Sequence, residues 1–140
     1  MNIIEFEDFE KVVMNKLLAG DLPILEILYK QYKNAQINER YFTGVGFVTE
    51  FKIPTSLPRI QNVKDFEISD ILGSINGISV DFILFIRDGA IDFLEGIADT
   101  GPWPKPIYNF DLTYAIKNGN DQHRNLEKLK IDIENRKIST

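Results

Sequence analysis

Two dipeptides constrain this chain more than anything else in it: Asn76-Gly77 and Asp88-Gly89, each standing between apolar runs. A two-residue type I′ turn needs φ > 0 at both central positions, and Asn-Gly and Asp-Gly meet that need best. Three successive strands joined by two tight turns follow from this pattern. Downstream, Pro102-Trp103-Pro104 lacks two backbone donors and ends ladder pairing.

Centring the second turn on Asp88 and Gly89 sets Arg87 opposite Ala90, Ile86 opposite Ile91, Leu84 opposite Phe93, Phe82 opposite Glu95 and Val80 opposite Ile97. Side chains alternate along a strand, so the residues sort onto two faces. One face carries Val80, Phe82, Leu84, Ile86, Ile91, Phe93 and Ile97, a core face broken by Glu95. The other carries Asp81, Ile83, Phe85, Arg87, Asp92 and Leu94, an apolar centre inside a charged rim. A slip of one residue would invert the sorting.

Ahead of the hairpins, residues 3–19 place Ile3, Phe6, Phe9, Val12, Val13 and Leu17 at helical spacing. Gly20 suits the position after that helix, and Asp21 with Pro23 suits the start of a second. Ile24, Leu25, Leu28, Tyr32 and Ala35 form its stripe, giving a helical hairpin over 3–36. Residues 41–53 turn to period two, with Tyr41, Val45, Phe47, Phe51 and Ile53 on one side. Residues 66–75 are the strand entering the first turn, and 108–115 alternate as a half-exposed strand. From Arg124 onward, Leu126, Leu129 and Ile133 fit a helix while Leu129, Ile131 and Ile133 fit a strand; a short helix with a frayed end is the favoured reading.

The predicted architecture is α+β: an N-terminal helical hairpin packed as one layer on a mainly antiparallel, five-stranded meander spanning 41–115, with a C-terminal segment over 121–140. With 140 residues, 44% of them hydrophobic, one domain over 1–140 accommodates the whole core. The 21 acidic against 16 basic side chains argue against a nonspecific nucleic-acid binder and suit a basic protein partner. With no cysteine there is no disulfide framework, thiolate metal site or cysteine nucleophile. Neither a signal peptide nor a membrane-spanning run is seen, so a cytoplasmic protein away from membranes is expected.

Few residues point to chemistry. Glu95, placed on the core face, must be hydrogen-bonded, paired or protonated. It is either a structural pin for the 96–104 loop or the acid–base group of a small carboxylate enzyme. His123, the only histidine, stands beside Arg124 in the least patterned segment. Gly44-Val45-Gly46 lacks the third glycine and following helix of a nucleotide loop. The carboxylates around the second hairpin lack calcium-loop spacing. No metal, cofactor or catalytic set is expected. Trp103 is either an exposed binding anchor or a ring folded back over the core edge.

Four segments carry a family resemblance: Tyr41-Phe42-Thr43-Gly44-Val45-Gly46-Phe47, Phe82-Ile83-Leu84-Phe85 with Asp88-Gly89, Leu94-Glu95-Gly96, and Pro102-Trp103-Pro104. In order and spacing they resemble a group of small bacterial proteins, most of them uncharacterised, over residues 41–114. The resemblance implies a compact α+β domain and supplies no catalytic residue. Domains of this kind look similar to immunity proteins of bacterial toxin systems. Ile97-Ala98-Asp99-Thr100-Gly101 departs from the aromatic-rich continuation expected after Leu94-Glu95-Gly96.

The expected function is a non-enzymatic protein-interaction module that neutralises a basic toxin domain. Asp81, Ile83, Phe85, Asp92, Leu94 and Trp103 form its contact surface, and Glu95 is a structural polar group. A carboxylate enzyme built on Glu95, and a homodimer formed through Ile83, Phe85 and Leu94, are the alternatives. The C-terminal helix, if it caps the second sheet face, removes the interface.

Overall fold

A computed structural model describes residues 2–135. The elements run α1 (Phe6–Leu17), α2 (Pro23–Lys33), β1 (Gln36–Phe42), β2 (Gly46–Lys52), β3 (Phe66–Ile68), β4 (Ile71–Ile75), β5 (Ile78–Arg87), β6 (Ala90–Ala98), β7 (Phe110–Ile116), β8 (Gly119–Asp121) and α3 (Leu126–Glu134). The strands form one antiparallel sheet in the order β1-β2-β6-β5-β4-β7-β8, and β3 pairs with β5 beside β4. The α+β class and the two N-terminal helices are as expected. The sheet has eight strands rather than five, and it is a meander only through β4, β5 and β6.

Three expected segments divide differently. The single strand over 41–53 is a hairpin, turned at Thr43-Gly44-Val45, with Thr43 N–H donating to the Gly46 carbonyl at 2.9 Å. Tyr41 and Val45 are consequently exposed, and Phe42 turns toward Phe6 and Phe47 on the helical side. The polar residues from Gln36 to Arg40, read as the end of the helical hairpin and its linker, are the first half of edge strand β1. The strand over 66–75 breaks at Ser69-Asp70 into β3 and β4, both paired to β5. At the second helix, Asp21 does not cap: Leu22 is the N-cap residue and Pro23 takes the first helical position. The C-terminal segment is helical, capped by the Asn125 side chain accepting from Lys128 N–H at 3.0 Å. The expected frayed end falls on residues 136–140, outside the described residues.

Both expected turns form. Asn76 and Gly77 have φ of 51° and 79°, and Asp88 and Gly89 have 51° and 73°. Arg87 pairs with Ala90 and Ile86 with Ile91, as the turn dictates. Then the ladder shifts. A bulge at Asp92 pairs Phe85 with Phe93, Leu84 with Leu94, Ile83 with Glu95, Phe82 with Gly96 and Val80 with Ala98. The extra residue reverses the face of every following β6 side chain. Leu94, Gly96 and Ala98 therefore face the core, and Phe93, Glu95 and Ile97 face away from it.

The helices share one face of the sheet. Phe9, Val13, Met14 and Leu17 of α1 and Leu25 and Leu28 of α2 are wholly buried against it. Phe9 packs on Phe82, Phe110 and Trp103, and Phe47 packs on Phe6 and Trp103 with ring centroids 4.7 and 5.1 Å away. Gly96 makes room for Phe47, whose ring occupies the space a Cβ would fill. α3 extends this same layer: Leu126 lies against Gly20, and Leu129 and Ile133 join the common core. Arg124 fastens it, with Nε and Nη2 on the Asp70 carboxylate at 2.8 Å each and Nη1 on the Ala19 carbonyl at 2.8 Å. The second sheet face carries no helix among the described residues.

Candidate interaction face

The uncovered face is built by strand alternation. Its centre holds Val48, Leu72, Ile83, Phe85, Phe93 and Ile97, from β2, β4, β5 and β6. Leu72 and Ile97 are 40% and 36% exposed; Ile83, Phe85 and Phe93 are half-buried by one another. The Phe85 and Phe93 rings stack at 4.3 Å with 19° between planes, a pairing the bulge creates. The Arg87 guanidinium lies 5.2 Å from the Phe93 ring centre and 3.6 Å from Asp92.

Around this centre the charge is one-sided. Glu39, Glu50, Glu67, Asp81, Glu95 and Asp111 share the face with Arg87 and Lys52. Glu39 and Glu50 stand directly opposite each other across β1 and β2. Glu95 is flanked by Val48 on one side and Ile83 on the other. Glu39, Glu50 and Glu95 have no cation or hydrogen-bond donor against them among the described residues. Like charges directly opposite in a sheet repel at a cost of about 0.2–1 kcal/mol.

At one end of the face, Asp99 N–H donates to the Ser79 carbonyl at 3.0 Å, which carries the ladder one residue past β6. That register sets the Asp99 carboxyl diagonal to Asp81. The hydrogen bond it accepts from protonated Asp81 pushes Asp81 up to about 6, with partial desolvation adding to the rise. The Asp99 carboxyl is held below its usual value by the same bond and by the Ser79 hydroxyl.

The structure brings Asp81, Ile83, Phe85 and Asp92 of the expected contact surface together. It separates the other two. Leu94 is 0% exposed on the opposite face, reversed by the bulge. Trp103 is 4% exposed; its backbone N–H donates to the Gly44 carbonyl at 2.9 Å and its ring closes the core against Phe9, Phe47 and Phe82, so it is not a surface anchor. Glu95 is not on the core face and not opposite Phe82; Gly96 holds that place. Phe93, Glu50 and Asp99 belong to the face and were missed. For Phe93 the missing signal was the bulge; for Glu50, the hairpin hidden in a single period-two run.

Clefts lie on the helical side, two of them larger than 400 Å³. One, about 580 Å³, runs between β3 and α3, lined by Phe66, Asp70, Ala115, Leu129 and Ile133 among others. Of its charges, Asp70 is matched by Arg124 and Lys128 by Asp132. The second, about 430 Å³, lies between the helical hairpin and the β1–β2 edge. Neither is lined by Glu95. His123 is exposed and contacts Asp121. No group of three metal-ligating side chains occurs among the described residues. None of their helices is long and apolar enough to cross a membrane. In comparisons with known proteins, no family model, curated protein or solved structure matches the chain.

Proposed function

We propose that this protein is a non-enzymatic interaction module that binds a basic protein domain through the open face of its sheet, in the manner of a toxin-neutralising immunity protein. One observation carries the reading: an apolar centre made by Ile83, Phe85, Phe93 and Ile97 lies beside three carboxylates, Glu39, Glu50 and Glu95, that have no cation against them among the described residues. An apolar centre within a charged rim is interface anatomy. The charge selects the partner. Lysine and arginine side chains over Glu39, Glu50 and Glu95 would relieve repulsion that the free protein bears, and would speed encounter at low salt.

The test is co-expression with basic domains encoded beside its own gene, with association measured by calorimetry and toxicity by growth. Phe85→Asp and Glu50→Lys should each abolish association and leave the urea midpoint close to that of the parent, since neither side chain enters the core. Parental affinity in both variants rejects the face. A dimer in dilute solution that Phe85→Asp dissociates would assign the face to a second copy of the chain instead.

A further inference from the structure

The cleft between the helical hairpin and the β1–β2 edge is within the range of small-molecule sites, roughly 300–1,000 Å³. One wall is apolar: Ile37, Ala35 and Phe51, with the Tyr32 ring set edge-on to Phe51 at 6.0 Å. Facing it is Arg40, from β1. Its guanidinium is held along one edge by Glu10, with Nη2 on Oε1 at 2.5 Å and Nε on Oε2 at 3.4 Å. Nε also donates to the Thr49 hydroxyl at 3.2 Å, and that hydroxyl donates to Glu10 Oε2. The guanidinium carbon stands over the Phe6 ring, 5.2 Å from its centre.

These contacts fix the orientation of Arg40, and Nη1 makes no hydrogen bond among them. It pairs loosely with exposed Glu7, whose carboxylate oxygen lies 3.9 Å away, too far for a hydrogen bond. The Tyr32 hydroxyl has no hydrogen-bond partner among the described residues. Burial first, and then the Glu10 charge, keeps it protonated and so a donor. Lys11 and Asn15 also line the cleft. A guanidinium fixed by its neighbours, with an edge free, suits the two oxygens of a carboxylate. The wall opposite suits an apolar body.

We propose that this cleft binds a small organic carboxylate, its charged end on Arg40 and Tyr32 and its apolar body on Phe51 and Ile37. The inference stands apart from the open face: β1 and β2 contribute to both, but with side chains on opposite sides of the sheet.

Amide spectra of the whole chain titrated with phenylacetate, phenylacetamide and inorganic phosphate test it. Phenylacetate should give saturable shifts at α1, β1 and Phe51 in the millimolar range, with the neutral amide and phosphate at least about tenfold weaker. Arg40→Lys should weaken phenylacetate about tenfold, because the planar fork is lost. Should Arg40→Lys not fold, Tyr32→Phe and Ile37→Asp decide; each should weaken binding about threefold or more. Equal affinity for acid and amide, no saturation by about 20 mM, shifts centred elsewhere, or undiminished binding in both Tyr32→Phe and Ile37→Asp would overturn the proposal.

Discussion

Gln31 is the buried residue on which the hairpin end depends. It is 0% exposed on α2 and saturates its amide across three segments. Nε2 donates to the Pro58 carbonyl at 3.0 Å and the Gly89 carbonyl at 3.1 Å, and Oε1 accepts from Ile91 N–H at 3.0 Å. Ile91 lies beyond the last β2–β6 pair, Glu50 with Phe93, so no strand supplies that acceptor. Replacing Gln31 by leucine orphans the Ile91 N–H in a dry site, at a cost of about 1–3 kcal/mol. Gly89 keeps its bond from Ile60 N–H at 2.9 Å, and the Pro58 carbonyl is part-exposed and can take water. The added apolar surface returns about 1 kcal/mol at most. Gln31→Leu should therefore lower stability by about 0.5–2 kcal/mol with an unchanged urea m-value. The Ile91 amide should exchange with solvent much faster, and the neighbouring Phe85 and Phe93 ring resonances should broaden. A loss below about 0.5 kcal/mol with the Ile91 amide still protected would refute the assignment.

Acid titration gives a second prediction. Because folding raises Asp81 to about 6, through its bond to Asp99, the stability it contributes is full at low pH and lost as pH rises through about 6. Asp81→Asn should flatten that part of the stability profile, read from urea midpoints between pH 4.5 and 7.5; an unchanged slope would contradict the pair. Arg124→Ala should cost about 2–3 kcal/mol in urea unfolding, below the usual range for a fully buried pair because Asp70 stays 25% exposed. Gly46→Ala should be far worse than Gly44→Ala. A Cβ at Gly46 lands on the Gly96 backbone carbonyl, which cannot move aside, whereas Gly44 faces open space and suffers only its φ of +90°. Comparable thermal midpoints for the two would contradict the close approach of β2 and β6.

The turns were legible because their chemistry is local. Asn76 and Asp88 adopt the positive φ that Asn-Gly and Asp-Gly favour. The edge strand was not. Gln36 to Arg40 has no alternation to read, since its ladder partner lies on one side only and the strand shifts register at Asn38. The break between β1 and β2 was hidden because Thr43-Gly44-Val45 carries no two-residue turn signal, and apolar residues continue through it. Arg124 was passed over for a different reason. Its partners Asp70 and Ala19 are 54 and 105 residues away, a distance no local pattern spans.

The register of β6 is the instructive case, because the sequence contained a warning. A straight ladder from Ile91 buries Phe93 and Ile97 but also Glu95, opposite Phe82. The bulge exchanges these for Leu94, Gly96 and Ala98, a face with no charge. Burying an unpaired carboxylate costs several kcal/mol, whereas one interrupted ladder bond costs about 0.5–1.5 kcal/mol. The bulge wins by that difference. The same exchange delivers Phe93 to stack on Phe85 and sends Glu95 outward between Val48 and Ile83, on the face where Glu39 already opposes Glu50. The core thus sheds a charge by moving it to the sheet surface that carries no helix among the described residues. A cationic partner on that face would meet Glu39, Glu50 and Glu95, which have no cation against them among those residues.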